Sequence, residues 1–217
     1  MMRSLYLTLA LSLASAAAAA PPQRVEIGYE IARNGSVLAE MHQRLEHDGR
    51  SYRLSETWKG KGIYALRGEA TRSSQGAVAV DGLRPRKFED KRPGRDARHA
   101  EFDPAAATPT LLRQDRLSLV WTFAFAPPRE VVTASVADGR QMSSQTYQTA
   151  GRERVKTPAG EFDALKLVKR RANPGERAVE MWLAADRDYL PVRTLVIARG
   201  AVQVRGDDAQ LVFDAGA

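Results

Sequence analysis

Residues 25–46 read VEIGYEIARNGSVLAEMHQRLE. Val25, Ile27, Tyr29 and Ile31 alternate with Glu26, Gly28, Glu30 and Ala32. That period of two marks a strand with one buried face. Asn34-Gly35 follows; both residue types tolerate positive φ, as a two-residue hairpin turn requires. The chain then returns over 37–46, with Val37, Ala39 and Met41 on one face. A strand, a tight turn and a returning strand predict an antiparallel meander.

The flanking sequence continues in the same style. His47-Asp48-Gly49 turns into a third strand marked by Tyr52, Leu54 and Trp58. Gly60 and Gly62 punctuate, and 63–71 reads as a fourth strand. Ser74-Gln75-Gly76 reads as a turn into 77–80, and Asp81-Gly82 as another. Segments 84–91 and 98–102 form a polar hairpin around Pro93-Gly94. Further strands are expected over 131–136, 142–149, 162–168, 179–183, 190–198, 202–204 and 211–213. Asp138-Gly139, Thr157-Pro158-Ala159-Gly160 and Gly206-Asp207-Asp208 lie between them. The expected fold is mainly β: a single highly curved antiparallel sheet or open β-barrel of roughly 11–13 strands. No linker composition or internal repeat divides it, so residues 20–217 read as one domain.

One segment departs from this pattern. Over 115–125, Leu117, Val120, Trp121, Ala124 and Phe125 recur at helical spacing. Ser118 and Thr122 fall on another face, and Pro127-Pro128 ends the run. The spacing predicts one short apolar helix across the concave side of the sheet, with Trp121 pointing inward.

Met1-Met2-Arg3, an apolar run and the alanines at 16–20 have the form of a secretory signal. The expected cut falls after Ala18 or Ala19, near Ala19, because proline just after the scissile bond is poorly tolerated. Residues 1–19 are then a cleaved leader and the mature protein is periplasmic. The apolar run over 5–20 is shorter than the ~20 residues of a spanning helix, and no later stretch suits a transmembrane segment.

The chain has 217 residues, a formal charge of +7 and no cysteine. Disulfides, thiolate metal sites, cysteine nucleophiles and a lipidated N-terminal cysteine are excluded. Only His42, His47 and His99 represent histidine. His42 and His47 would face opposite sides of a strand, which is poor ligand geometry, and no His-Glu-x-x-His or calcium-loop motif appears. Ser118 sits in no nucleophile elbow. Glu180 and Asp186 are a carboxylate pair of a kind that arises by chance. The reading is a non-enzyme without metal or cofactor. Export argues against a nucleic-acid partner.

Several segments together resemble a known family. They are 81–88 (DGLRPRKF), 100–103 (AEFD), 114–118 (QDRLS), 157–162 (TPAGEF), 182–184 (WLA) and 190–193 (LPVR). Their order is similar to the domain-of-unknown-function family 3108 of exported Gram-negative proteins, over about 25–213 of this chain. The resemblance implies a periplasmic, strand-rich domain and no assigned reaction. The strand pattern with one internal helix is also similar in outline to periplasmic lipoprotein-carrier folds.

Two surfaces are candidates for function. A curved sheet with a helix across its mouth can enclose an apolar cavity, lined here by Trp58, Tyr64, Trp121, Phe123, Phe125 and Trp182. The ligand would be a lipid, acyl chain or similar amphipath. The second is the basic hairpin 84–98, with Arg84, Arg86, Lys87, Lys91, Arg92, Arg95 and Arg98. It could meet an anionic envelope component, since arginine binds phosphate oxygens bidentately. The functional alternatives are a lipid-binding module and an envelope interaction protein with a filled core that docks through sheet edges and this hairpin.

Overall fold

In a computed structural model, the described residues are 21–33, 36–103, 112–171, 173, 176–198, 202–206 and 210–213, with side chains described through 197. The leader and its cleavage point, the Asn34-Gly35 turn and the Asp207-Asp208 break lie outside them.

Alternation places β1 (Arg24–Arg33) as expected: Val25, Ile27, Tyr29 and Ile31 are buried and the residues between them are not. An antiparallel meander continues through β2 (Ser36–His47), β3 (Ser51–Gly60), β4 (Ala70–Ala79), β5 (Gly82–Lys91) and β6 (Arg98–Glu101). The second half contains β7 (Leu112–Asp115), β8 (Val131–Ala137), β9 (Met142–Thr157), β10 (Gly160–Lys169), β11 (Ala178–Ala184), β12 (Leu190–Ala198), β13 (Val202–Gly206) and β14 (Gln210–Phe213). The hydrogen-bonded order is β6-β5-β4-β3-β2-β1-β13-β12-β11-β10-β9-β8-β7, with β14 also on β1.

The architecture is mainly β, but the single-sheet description holds only in part. The strand order narrows where β13 meets β1 over two pairs, Ile31 with Gly206 and Ala32 with Arg205. Large twisted sheets tend to curl or split into packed layers, and the interior side chains gather accordingly. One cluster is built mainly on β1–β5, a second on β8–β11, and a third on β9–β12. Tyr29 ties the two leaves together by donating its buried hydroxyl to the Pro191 carbonyl at 2.7 Å.

The ends of the order, β6 and β7, do not pair among the described residues, so strand pairing closes no barrel there. Side chains join the leaves instead. Gln114 Nε2 on β7 donates to the Leu83 carbonyl on β5 at 2.7 Å, and the Leu83 N–H donates to Thr122 Oγ1 at 2.8 Å.

Several sequence expectations are corrected. Among the described residues there are fourteen strands, and β7 pairs with β8 in parallel. Segment 63–71 is a strand only at its end: Gly62–Arg67 is a 3-10 helix and β4 begins at Ala70. Gly62 and Gly68, at φ 56° and 75°, take the chain out of the extended region on either side. Ser74, Gln75 and Gly76 stay inside β4, where the register slips opposite Pro85 and Lys87 instead of turning.

The expected helix over 115–125 is shorter. It comprises α1 (Ser118–Trp121) and a 3-10 turn, Thr122–Ala124. Asp115 caps it: Oδ1 accepts from the N–H groups of Leu117 and Ser118 at 2.8 Å, and Ser118 Oγ accepts from the Asp115 N–H at 3.0 Å. This is the reciprocal arrangement of a capping box. The segment is buried on both faces rather than one. Leu117, Trp121 and Ala124 enter the first cluster, while Leu119 and Phe123 enter the second. It is a wedge between the leaves.

Candidate functional site

The inward face of the first leaf carries more charge than its alternation suggested. Glu56 on β3 is buried and accepts from Gln43 Nε2 at 2.6 Å, Trp58 Nε1 at 2.5 Å and Arg72 Nη1 at 2.5 Å. Arg72 on β4 also lies 3.4 Å from Asp90 on β5, and its guanidinium sits 5.5 Å from the Trp58 ring centroid. Asp90 is buried and accepts two hydrogen bonds from Arg92, at 2.7 and 3.1 Å. Gln43 Oε1 accepts the indole N–H of Trp121 at 2.9 Å. The result is a network of two carboxylates and two guanidiniums, neutral overall, above a fully buried tryptophan. Burial alone would raise the Asp90 carboxyl. The Arg92 hydrogen bonds and the charges of Arg72 and Arg92 outweigh it and hold the group below the usual range.

A second buried polar chain runs behind the wedge. Ser74 donates to Asp115 Oδ2 at 2.6 Å and contacts the Tyr52 hydroxyl at 2.8 Å. Burial pushes the Asp115 carboxyl up, against the hydrogen bonds from Ser74, Ser118 and Leu117. The Ser118 hydroxyl caps the helix as described above. Ser74, Ser118 and Asp115 are all fully buried, so the hydroxyls beside this carboxylate do not reach the surface. Among the described residues no group of three or more His, Asp or Glu side chains could hold a metal ion.

Three of the six candidate aromatics, Trp58, Trp121 and Phe125, share one cluster, and the other three lie elsewhere. Trp121 is fully buried in the first cluster, with Trp58 and Phe125 packed against it; Phe125 also meets the His47 ring edge-on at 4.9 Å. Phe123 lies in the second cluster. Trp182 lies in the third, on the face of β11 opposite Met181 and Leu183. Its ring is flanked by its cross-strand neighbours Lys166 and Arg193, at 4.9 and 5.0 Å. Tyr64 stands outside the core, on the 3-10 helix Gly62–Arg67, under the Arg67 guanidinium.

The basic hairpin is only partly free. Arg84 is paired with Asp81, Lys87 with Glu101, Lys91 with Glu89, and Arg92 with buried Asp90. Arg98 acts on Asp138. For Arg86 and Arg95 no side-chain partner is described. His99 faces Glu89 across the β5–β6 pair, so its near neighbour is a carboxylate and not the arginines beside it in sequence. Two hollows, of about 600 and 430 Å³, are lined by polar and charged residues together with the apolar surface of residues such as Tyr52 and Ile27. The larger includes Arg24, Arg53 and Arg86, and neither is lined by the six aromatics.

The sequence reading missed the charged network. Glu56 and Asp90 were readable as inward positions from strand parity with Leu54 and Phe88, but Gln43 and Arg72, which join them to the rest of the network, come from other strands.

Residues 107–199 match the model of a family described as a protein of unknown function, DUF3108. Four of the recognised segments, 114–118, 157–162, 182–184 and 190–193, fall inside this match; 81–88 and 100–103 fall outside it. No curated protein matches the chain. Among solved structures, a beta-barrel-like protein of domain of unknown function DUF1849 from Brucella abortus aligns at a TM-score of 0.46 and 8% identity, covering 88% of this chain and 97% of the other. A candidate lipoprotein from Parabacteroides distasonis aligns at a TM-score of 0.35 and 12% identity, with the same coverage.

Proposed function

We propose that this is a non-catalytic, exported protein of the cell envelope that acts by docking, with a filled core, and not by carrying a ligand inside. The supporting observation is Trp121. Its ring is fully buried, its indole N–H is bonded to Gln43, and Gln43 bonds in turn to Glu56 of the Glu56–Arg72–Asp90–Arg92 network. A carrier would leave that side chain bordering open or lipid-filled space. Periplasmic residence follows from the leader read over 1–19, and the contact surface is drawn from the arginines that the hairpin leaves free.

Trp121→Ala tests the reading. In a filled core it creates a cavity and costs about 3–5 kcal/mol in denaturant unfolding. Organic extraction and mass spectrometry of the same preparations should release no stoichiometric lipid. A small stability loss together with a co-purified lipid that the variant fails to retain would establish the carrier instead. N-terminal sequencing of periplasmic protein checks the cut near Ala19.

A further inference from the structure

Arg24, Glu46, Arg53 and Gln75 lie in one row across β1 to β4. Each is followed or preceded by a buried residue, Val25, Leu45, Leu54 or Ser74, so the row is on the outer face of the first leaf. All four line the hollow of about 600 Å³. On β5 the row meets a bulge. Gln75 pairs with Lys87 and Gly76 with Pro85, which leaves Arg86 as the extra residue. A bulge turns its side chain out of the regular alternation, and Arg86 lines the same hollow. Gly76 permits this, because a side chain there would overlap the Arg84 carbonyl, and Pro85 has no N–H to leave unpaired.

Hydrogen bonds fix the rest of the rim. Asp48 closes the β2–β3 turn by accepting from the N–H groups of Arg50 and Ser51 at 2.8 and 2.6 Å. The His47 N–H donates to the Gln23 carbonyl at 2.9 Å, and His47 Nε2 lies 3.0 and 3.1 Å from the carbonyls of Pro21 and Pro22. The segment before β1 is thereby held to the turn.

The charges around the hollow do not cancel. Its lining holds Arg24, Arg53 and Arg86 against Glu46 and Asp48. Arg24 is engaged by Glu26 at 2.7 Å, and Glu46 by Arg44. Asp48 uses both oxygens within its own turn, and those hydrogen bonds hold its carboxyl down at about 2. With Arg44 and Glu26 included, four cations face three carboxylates. The guanidiniums without an acidic partner among the described residues are Arg53 and Arg86. They stand on β3 and β5 with Gln75 between them on β4, about 10 Å apart at the spacing of strands. Two arginine side chains can close that span around one tetrahedral anion.

Guanidiniums bind phosphate oxygens through paired N–H groups. Two of them match the two charges of a phosphate monoester, where a carboxylate would leave one unmatched. The hollow exceeds a bare phosphate and falls in the size range of pockets that hold small organic ligands.

We propose that this hollow is a binding site for a phosphate monoester, with Arg53 and Arg86 gripping the phosphate from β3 and β5 and Gln75 donating between them. The inference rests on the docking reading above, in which the arginines left free by the hairpin form the contact surface, and it supplies the chemistry that Arg86 meets.

Arginine side-chain N–H resonances of the isotope-labelled protein report on the site directly. Titration with glycerol phosphate should shift the Nε–H signals of Arg53 and Arg86, each assigned by its loss in the glutamine variant. The signal of Arg140, in the β8–β9 turn, should not move. Arg53→Gln and Arg86→Gln should each weaken binding about tenfold, the loss of one charged hydrogen-bonding partner. Both side chains are exposed, so the variants should keep the fold, which the backbone spectrum checks. Arg140→Gln should bind as the parent does, and acetate should bind at least tenfold more weakly than the ester. Sedimentation with phosphatidylcholine vesicles, with and without phosphatidic acid, separates the sources of phosphate. Binding to the phosphatidic acid vesicles that both glutamine variants lose identifies a lipid headgroup; binding of glycerol phosphate alone identifies a soluble ester; either upholds the site. Unmoved Arg53 and Arg86 signals with glycerol phosphate, together with no binding to phosphatidic acid, overturn the proposal. So do phosphate binding that survives Arg53→Gln with Arg86→Gln, an equal loss in Arg140→Gln, or acetate bound as tightly as the ester. None of these outcomes touches the core, so the filled-core docking protein is still judged by the Trp121 experiment.

Discussion

Asp90 and Asp115 are both buried carboxyls, and their surroundings shift them in opposite directions. Asp90 lies between two guanidiniums, so its folded-state affinity for a proton is lower than in the unfolded chain. The stability it contributes is present above the ordinary carboxylate value of ~3.9 and is lost as pH falls through the lower folded value. Asp115 has hydrogen-bond donors but no cation at hand, and burial raises it. Its contribution is complete below ~3.9 and declines as pH rises through the folded value. Denaturant unfolding across pH should separate the two. Asp90→Asn should flatten the acid limb below about pH 4 and cost about 1.5–3 kcal/mol at neutral pH, the loss of the charged hydrogen bonds from Arg92, while Arg72 keeps Glu56. Asp115→Asn should remove part of the decline on going from pH 4 to 7. Identical pH slopes in both variants would show that neither group is coupled to folding in this way.

The smallest helix in the fold has contacts out of proportion to its length. α1 and the turn after it join β7 to β5 through Leu83, whose carbonyl and N–H are bound by Gln114 and Thr122. These two side chains do there what a neighbouring strand would do elsewhere. Thr122→Val keeps the shape and removes the acceptor, leaving the Leu83 N–H buried without its partner. The expected cost is about 1–2 kcal/mol, read as a lower denaturant midpoint at unchanged slope. A midpoint equal to that of the parent would mean that the wedge is held by apolar packing alone. The 114–118 segment that helped to identify the family resemblance is this same element. Gln114 binds Leu83, Asp115 caps and binds Ser74, Leu117 packs, and Ser118 completes the cap.

Across the whole molecule the wedge decides whether two leaves behave as one. β1 and β13 share two residue pairs, a narrow joint, whereas the wedge sends Leu117 and Trp121 into one cluster and Leu119 into the other. Unfolding should therefore be a single cooperative transition. Leu117→Ala and Leu119→Ala should each cost about 2–5 kcal/mol and move that one transition, with far-UV circular dichroism and tryptophan fluorescence coinciding. Separate transitions for the two probes in Leu119→Ala would show that the leaves unfold independently and that the wedge does not couple them.

Strand character was written in local pattern. The alternation of Val25, Ile27, Tyr29 and Ile31, the Asp-Gly turns and the halting prolines depend only on neighbours in the chain, and they led to a mainly β fold with an inward Trp121. Local pattern was ambiguous at 62–68, where Ile63 and Leu66 suit a strand but the flanking glycines adopt positive φ. It was also incomplete at the wedge, where the stripe containing Trp121 was visible and the opposite burial of Leu119 and Phe123 was not. A periodicity identifies a face but not how many partners will cover the others. The Glu56–Arg72–Asp90–Arg92 network and the Leu83 clamp were decided by tertiary structure alone. Each depends on residues from different strands whose charges and hydrogen bonds are matched only once sheet register and curvature bring them together.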